Sequence, residues 1–317
     1  MSYGIQINPL NGNPYIFDEN TMFISVGKIG VTPNSISYST NTGYKIPNGY
    51  DYSVIIPNSF PTEINKSAMM KSRIGSDGNI ELYLEQGGGN TYYRSIFYII
   101  LLIPKIYPVD SGMYGVGVLG EQNRYMTLSD GSYVTSCLYR GETQIYTGWN
   151  PRNVFPSFNA SEHVCFYYLE NTNYAILYVD SGDCTIRMFI RGTNNYNNGH
   201  RVNAKVVILG KTALQPDSYG LNIWAKNGDL VFTSGEIQAG TGEIKTIPTY
   251  NATSFNNIKR PMFIPETLGV QSGLTYQICN DGSTIIGVPL SWGGGPAVFK
   301  ANENPHIFID AVNYFTF

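Results

Sequence analysis

Residues 2–12 read SYGIQINPLNG and residues 218–228 read SYGLNIWAKNG, the same phrase 216 positions apart (218 minus 2). The gap-free match runs through Ser2/Ser218, Tyr3/Tyr219, Gly4/Gly220, Ile5/Leu221, Ile7/Ile223, Asn11/Asn227 and Gly12/Gly228. In each copy apolar residues alternate with Gly or a polar residue, which predicts a strand with one apolar face. The Asn-Gly that follows is a strong hairpin signal, because both residues accept the positive φ of a two-residue type I′ turn. Strand returns follow in NPYIF (13–17) and DLVF (229–232). Since IFD at 16–18 lies opposite VFT at 231–233, the apparent register slips by one residue after the turn, and a β-bulge would absorb the slip. Two hairpins that converged by chance would have no need to share the leading Ser-Tyr-Gly.

The rest of the chain is written in the same vocabulary. Asn48-Gly49, Asp77-Gly78, Asp130-Gly131, Asn198-Gly199 and Asp281-Gly282 punctuate short runs rich in Val, Ile, Tyr and Phe, and no stretch carries a sustained helical stripe. With 34 Gly, 17 Pro and 25 Tyr and only 14% charged residues, the 317-residue chain is expected to be all-β. Antiparallel sandwich-like or barrel-like domains with many short hairpins and little helix are the expected form. The longest apolar run, IFYIILLI at 96–103, is too short to span a bilayer as a helix and predicts a strand buried on both faces.

The second copy of the motif follows a Pro near position 216, which predicts an N-terminal β region over 1–216 and a C-terminal β domain over 217–317. A weaker echo, MYGVGV at 113–118, follows the Pro-interrupted LLIPKIYPVDSG but lacks Asn-Gly at the matching offset. Counting it splits the N-terminal region near 105–113 and gives three pieces of about 100 residues, an ordinary domain size.

Chemistry-bearing patterns are sparse. A net charge of −3 without a dense Lys/Arg cluster argues against nucleic-acid binding. The N-terminus carries no Sec-type signal pattern, and no membrane insertion is expected. Cys137, Cys165, Cys184 and Cys279 form neither a CxxC pair nor a disulfide framework, so free thiols are expected. LGKT at 209–212 is no P-loop, because Lys205 stands where its first Gly belongs. Gly87–Gly89 and Gly293–Gly295 read as flexible loops or bulges. His163 and Cys165 share a strand face without further ligands and read as packed core, and Asp180 and Asp183 in VDSGDC read as turn residues. No catalytic residue, metal ligand or cofactor is assigned. Tyr146 and Trp149 in QIYTGWNPRN, Trp224, and Trp292 in PLSWGGGP lie among Asn, Thr and Gly, a setting that suits stacking on a sugar face or a partner protein.

The initiator MSYGIQI with its NG and IFD, and the internal YGLNIWAKNGDLVF, resemble a motif of small virion proteins of tailed bacteriophages. Many of those proteins begin M-S-Y-G-[LIV]-x-[VI] with a later Y-G-L-x-[VI] copy, and they are commonly encoded near tail-tip or host-specificity genes. The resemblance rests on two stretches of about 17 residues, and Pro9, Pro14 and the VFT ending of the second copy depart from it. It implies a structural or adhesive part of a virion, made in the bacterial cytoplasm. Such a part docks on other tail proteins and contacts a glycan or protein of the host surface. The repeat makes a symmetric homo-oligomer the expected assembly. A lectin-like, carbohydrate-binding β module is the competing expectation.

Overall fold

The computed structural model describes residues 24–32, 39–57, 69–85, 96–104, 135–180, 183–191, 199–211, 242–271, 274–291 and 299–317. It also describes 4–7, 15–18, 115–119, 125–129, 215–216, 218, 220–224, 228 and 230–234. Every strand pair is antiparallel, and the helical segments among the described residues are the 3-10 turns Pro151–Asn153 and Ala311–Asn313. The chain is all-β, as its turn-punctuated sequence requires.

One sheet plan occurs three times. In the first unit Ser25–Val31 and Tyr50–Ile55 flank the last strand, Phe97–Pro104. In the second, Ser136–Ile145 and His163–Leu169 flank Val202–Gly210. In the third, Gly242–Lys245 and Pro261–Met262 flank His306–Asp310. Each unit adds a second sheet built on a hairpin: Met69–Ile74 with Asn79–Glu85, Tyr174–Asp180 with Thr185–Ile190, and Leu274–Asp281 with Thr284–Ser291. The return strand of that hairpin takes an edge strand, Ser39–Lys45, in the first unit and Thr253–Ser254 in the third. In the second unit a loop fills this edge: Gly148 N–H donates to Ile186 O and Ile186 N–H to Trp149 O, both at 2.9 Å.

Local details follow the same plan. The opening strands of the first two units each carry a bulge after their second residue, between Val26 and Lys28 and between Cys137 and Tyr139. Each second-sheet hairpin turns through an Asp and a left-handed residue: Asp77-Gly78 (φ 79°), Asp183-Cys184 (φ 55°) and Asp281-Gly282 (φ 64°). Cys184, among the described residues the one non-glycine at positive φ, therefore occupies a position the turn reserves for glycine. Asp183 is a turn residue, its Oδ1 accepting from Arg152 Nη1 at 2.8 Å, whereas Asp180, expected in the turn, ends the strand Tyr174–Asp180 and pairs with Thr185.

The last strands are the spine of the molecule. Along Phe97–Pro104, Tyr98, Ile100 and Leu102 point into a core shared with Val54, Ile56, Met70, Ile80, Leu82 and Leu84. Phe97, Ile99, Leu101 and Ile103 point the other way, into a larger core running from Ile24 to Tyr314. The run at 96–103 is thus buried on both faces, and its period-2 alternation sorts residues between two cores.

Residues 1–216 hold two units and 217–317 the third, but the units do not keep separate interiors. Val26 N–H donates to Thr135 Oγ1 at 3.1 Å, joining the opening strands of the first two units. Tyr167 and Phe263 exchange backbone hydrogen bonds at 2.8 and 2.9 Å. Asn280 clasps the backbone of Leu169 from both sides, accepting from its N–H and donating to its carbonyl at 2.9 Å each. Between first and third units, the Ser72 N–H and Oγ both donate to Asn304 Oδ1, and Lys71 lies between Glu85 and Glu303 at 2.9 and 3.1 Å.

Candidate functional site

A hairpin stands ahead of each unit. Gly4–Ile7 pairs with Tyr15–Asp18, Gly115–Leu119 with Tyr125–Ser129, and Asn222–Trp224 with Leu230–Thr233. The innermost pairs, Ile7↔Tyr15, Leu119↔Tyr125 and Trp224↔Leu230, enclose stretches centred on positions 11, 122 and 227. Each centre falls seven positions after the glycine of a Tyr-Gly pair (11 − 4, 122 − 115, 227 − 220). The weaker echo at 113–118 is therefore a hairpin of the same register, although no Asn-Gly marks its turn.

The first copy pairs about Asn11, whereas in the second Asn222↔Thr233 and Ile223↔Phe232 centre between Asn227 and Gly228, and a bulge shifts Trp224↔Leu230 by half a position. Gly228 takes φ +90°, in keeping with a left-handed glycine after the central residue. The predicted bulge lies in the second copy, between Ile223 and Trp224. Gly220 makes a close internal approach: a Cβ there would overlap the hydroxyl of Ser234, which accepts from Leu221 N–H at 2.9 Å. Trp224 projects from this hairpin with 51% of its surface exposed. Tyr3, Asn11, Gly12, Tyr219, Asn227 and Trp292, with the glycine runs at 87–89 and 293–295, lie outside the described residues.

The aromatic loop of the second unit departs further from expectation. Trp149 is only 1% exposed and meets Tyr167 edge-on, with ring centroids 5.8 Å apart. It offers no stacking face, because the loop that carries it replaces an edge strand and its ring completes the core beneath. A capping box between Asn150 and Asn153 and the Arg152–Asp183 ion pair fix that loop. Tyr146 remains half-buried, with the Arg201 guanidinium 4.7 Å from its ring centre.

Of the chemistry-bearing side chains, His163 and Cys165 are core residues. His163 Nδ1 accepts from Asn159 N–H at 3.0 Å, and burial holds its imidazole below the ordinary pKa. All four cysteines are free. Burial pushes Cys137 and Cys279 up to about 12, away from thiolate reactivity. His306 Nδ1 lies 2.7 Å from Glu266 Oε1 with both residues buried, and the outer atoms Nε2 and Oε2 have no hydrogen-bond partner. No group of three metal-ligating residues occurs among the described residues.

The sequence reading missed one cluster. Tyr250, Tyr276 and Phe299 come from three separate segments of the third unit and meet as an aromatic stack: Tyr250 lies over Tyr276 at 4.6 Å and 22°, and Phe299 meets both edge-on at 5.3 Å. Their spacing along the chain carries no periodic signal, so only the sheet order brings them together.

No curated protein and no solved structure matches this chain. Residues 4–300, which take in all three hairpins and nearly all of the three units, match a family of unknown function (DUF6453), and the chain belongs to that family.

Proposed function

We propose that the chain is a structural and adhesive component of a bacteriophage tail, at the tip or the fibre end, and resides in the virion. It docks on other tail proteins through its hairpins and acts by surface contact, without a catalytic centre or a cofactor. The observation that carries this reading is the Tyr-Gly hairpin. A hairpin stands ahead of each of three β units, and the sequence of the first, at residues 2–18, resembles small virion proteins and recurs at 218–233. A hairpin that recurs while the units behind it differ in sequence suits a common use for its surface. Two-stranded hairpins are marginal alone and gain stability by packing against a neighbour, which suits docking elements. Self-association into a symmetric oligomer belongs to the same proposal.

The test is mass spectrometry of gradient-banded phage particles, with the copy number of this chain calibrated against the major capsid protein. A low, fixed stoichiometry is expected. Absence from the particles overturns the reading.

A further inference from the structure

The edge of the second sheet is built differently in each unit, and the difference points to a binding site in the third. The first unit fills this edge with Ser39–Lys45, and the second with a loop whose Trp149 is buried. The third fills it with residues 246–254, TIPTYNATS, anchored by buried Ile247 and otherwise at the surface. From that segment Tyr250 lies on Tyr276 with 37% of its surface open.

The sheet is shaped to receive this tyrosine. Gly287 N–H donates to Tyr250 O at 2.9 Å, and a Cβ at Gly287 would come within 2.8 Å of Tyr250 Cβ and 3.0 Å of its Cα. Any side chain at 287 would lift the tyrosine off the strand, so the close approach requires glycine. Tyr276 supports one ring face and Phe299 braces both rings from the side. The 37% of Tyr250 that stays open belongs to a ring already held on one face and from the side, so little side-chain entropy is lost when it is covered.

The surroundings define the ligand. Residues 246–258 contain no charged side chain, and Thr249 and Asn251, exposed on either side of Tyr250 in the chain, supply a hydroxyl and an amide, while Lys245 at the start of the segment is taken up by Ser254 O and Glu243. An ionic ligand finds no counter-charge on this segment, and a purely apolar ligand would leave the polar rim unused. A neutral sugar ring satisfies both parts: its C–H face stacks on the aromatic ring, and its hydroxyls meet amide and hydroxyl partners. We infer that Tyr250, on its Tyr276–Phe299 support, is the stacking platform of a binding site for a neutral hexopyranose.

The experiment is saturation-transfer NMR and calorimetric titration of the full chain with glucose, galactose, mannose and their disaccharides. At least one sugar is expected to bind saturably, with Tyr250 ring protons shifting. Tyr250→Ala should weaken that binding about tenfold or more, the equivalent of about 1.4 kcal/mol. Tyr250→Phe, which keeps the stack, should retain most of it. Gly287→Ala should weaken binding while Tyr250 stays in the chain. No saturable binding by the wild-type chain, or equal binding by Tyr250→Ala, overturns the inference. The measurement uses isolated protein, so its outcome is independent of whether the chain is found in virions.

Discussion

The first and second units share a sheet order and an opening bulge, yet they bury their apolar residues differently. In the first unit the space between the two sheets is a closed core lined by Ile80, Leu82, Ile100 and Leu102, all contributed from within residues 54–102. In the second, Val206, Val207, Ile208 and Leu209 fall on both faces of the last strand and still belong to a single core that reaches Ile24 and Tyr314. A repeated backbone plan therefore leaves open how far each copy depends on the others. The first unit is half self-sufficient, while the second is interior to the whole molecule.

Adjacent leucines on one strand test this most sharply. Leu101 and Leu102 are both fully buried on opposite faces of Phe97–Pro104. Leu101→Ala and Leu102→Ala should each cost about 2–5 kcal/mol through lost burial and the cavity left behind. Hydrogen exchange should separate them. Leu101→Ala is expected to lower protection in His163–Leu169 and Val202–Gly210, and Leu102→Ala to lower it within residues 50–104 alone. Identical patterns would mean that the two cores melt as one.

The next effect concerns a polar joint of the third unit. His306 and Glu266 are buried together, so His306→Ala strands the carboxyl without a partner and should cost about 3 kcal/mol. Chemical denaturation at pH 7 measures it. A cost below about 1 kcal/mol would show that water reaches Glu266 once the ring is gone.

Asn280→Ala should cost about 2 kcal/mol, since it orphans both the N–H and the carbonyl of Leu169 in the core. Asn280→Asp should rescue only the acceptor half. A loss of this size, measured by denaturant midpoint, would place the fusion of second and third units in buried hydrogen bonds as much as in apolar area.

What the sequence disclosed follows from the same contrast. Alternation and turn residues are local signals, so the hairpins at 4–18 and 222–233, the all-β class and the doubly buried strand at 96–103 were all readable. The hairpin at 115–129 carried a weaker signal because Gln122-Asn123 stands where the first copy has Asn11-Gly12, although its register is the same. The echo at 113–118 hinted at three pieces, but the sheet plan they share was not readable. It is carried by which strand pairs with which, and Phe97–Pro104, Val202–Gly210 and His306–Asp310 share burial without sharing residues. Trp149 was misread for a related reason: Thr, Gly and Asn around an aromatic describe a loop, and nothing local states that the loop stands in for an edge strand. Tyr250 was passed over because its partners lie at 276 and 299.

Alkaline pH should weaken the common core gradually, over a window instead of at one substitution. The Cys137 and Cys279 thiols are raised by burial from an ordinary 9.0 to about 12, and Tyr167 and Tyr178 are raised well above 10.0 by the same cause. A folded-state value above the unfolded one gives stability that is intact below pH 9 and lost as pH rises toward 12, because only the unfolded chain releases those protons. Each thiol then removes about 1.4 kcal/mol per pH unit within that window. Urea midpoints at pH 8 and pH 10.5 should fall accordingly, and thiol reagents at pH 8 should modify the four cysteines only after unfolding. An unchanged midpoint would mean that water enters the core before the chain unfolds.

The smallest effect sets a floor for the comparison. Arg191 in the second unit reaches Asp281 in the third at 3.4 Å, next to the Asn280 clasp but with both side chains more than a third exposed. The pair crosses the same joint as Asn280 and Leu169, yet solvent screens it and each long side chain loses freedom in forming it. Arg191→Gln should therefore cost at most about 0.5 kcal/mol, less still in high salt. Residues 280 and 281 thus bridge the same two units one position apart and should differ about fourfold in worth. If Arg191→Gln equalled Asn280→Ala, the joint would be held by its charged rim, and the shared interior would not be what makes three repeated units one body.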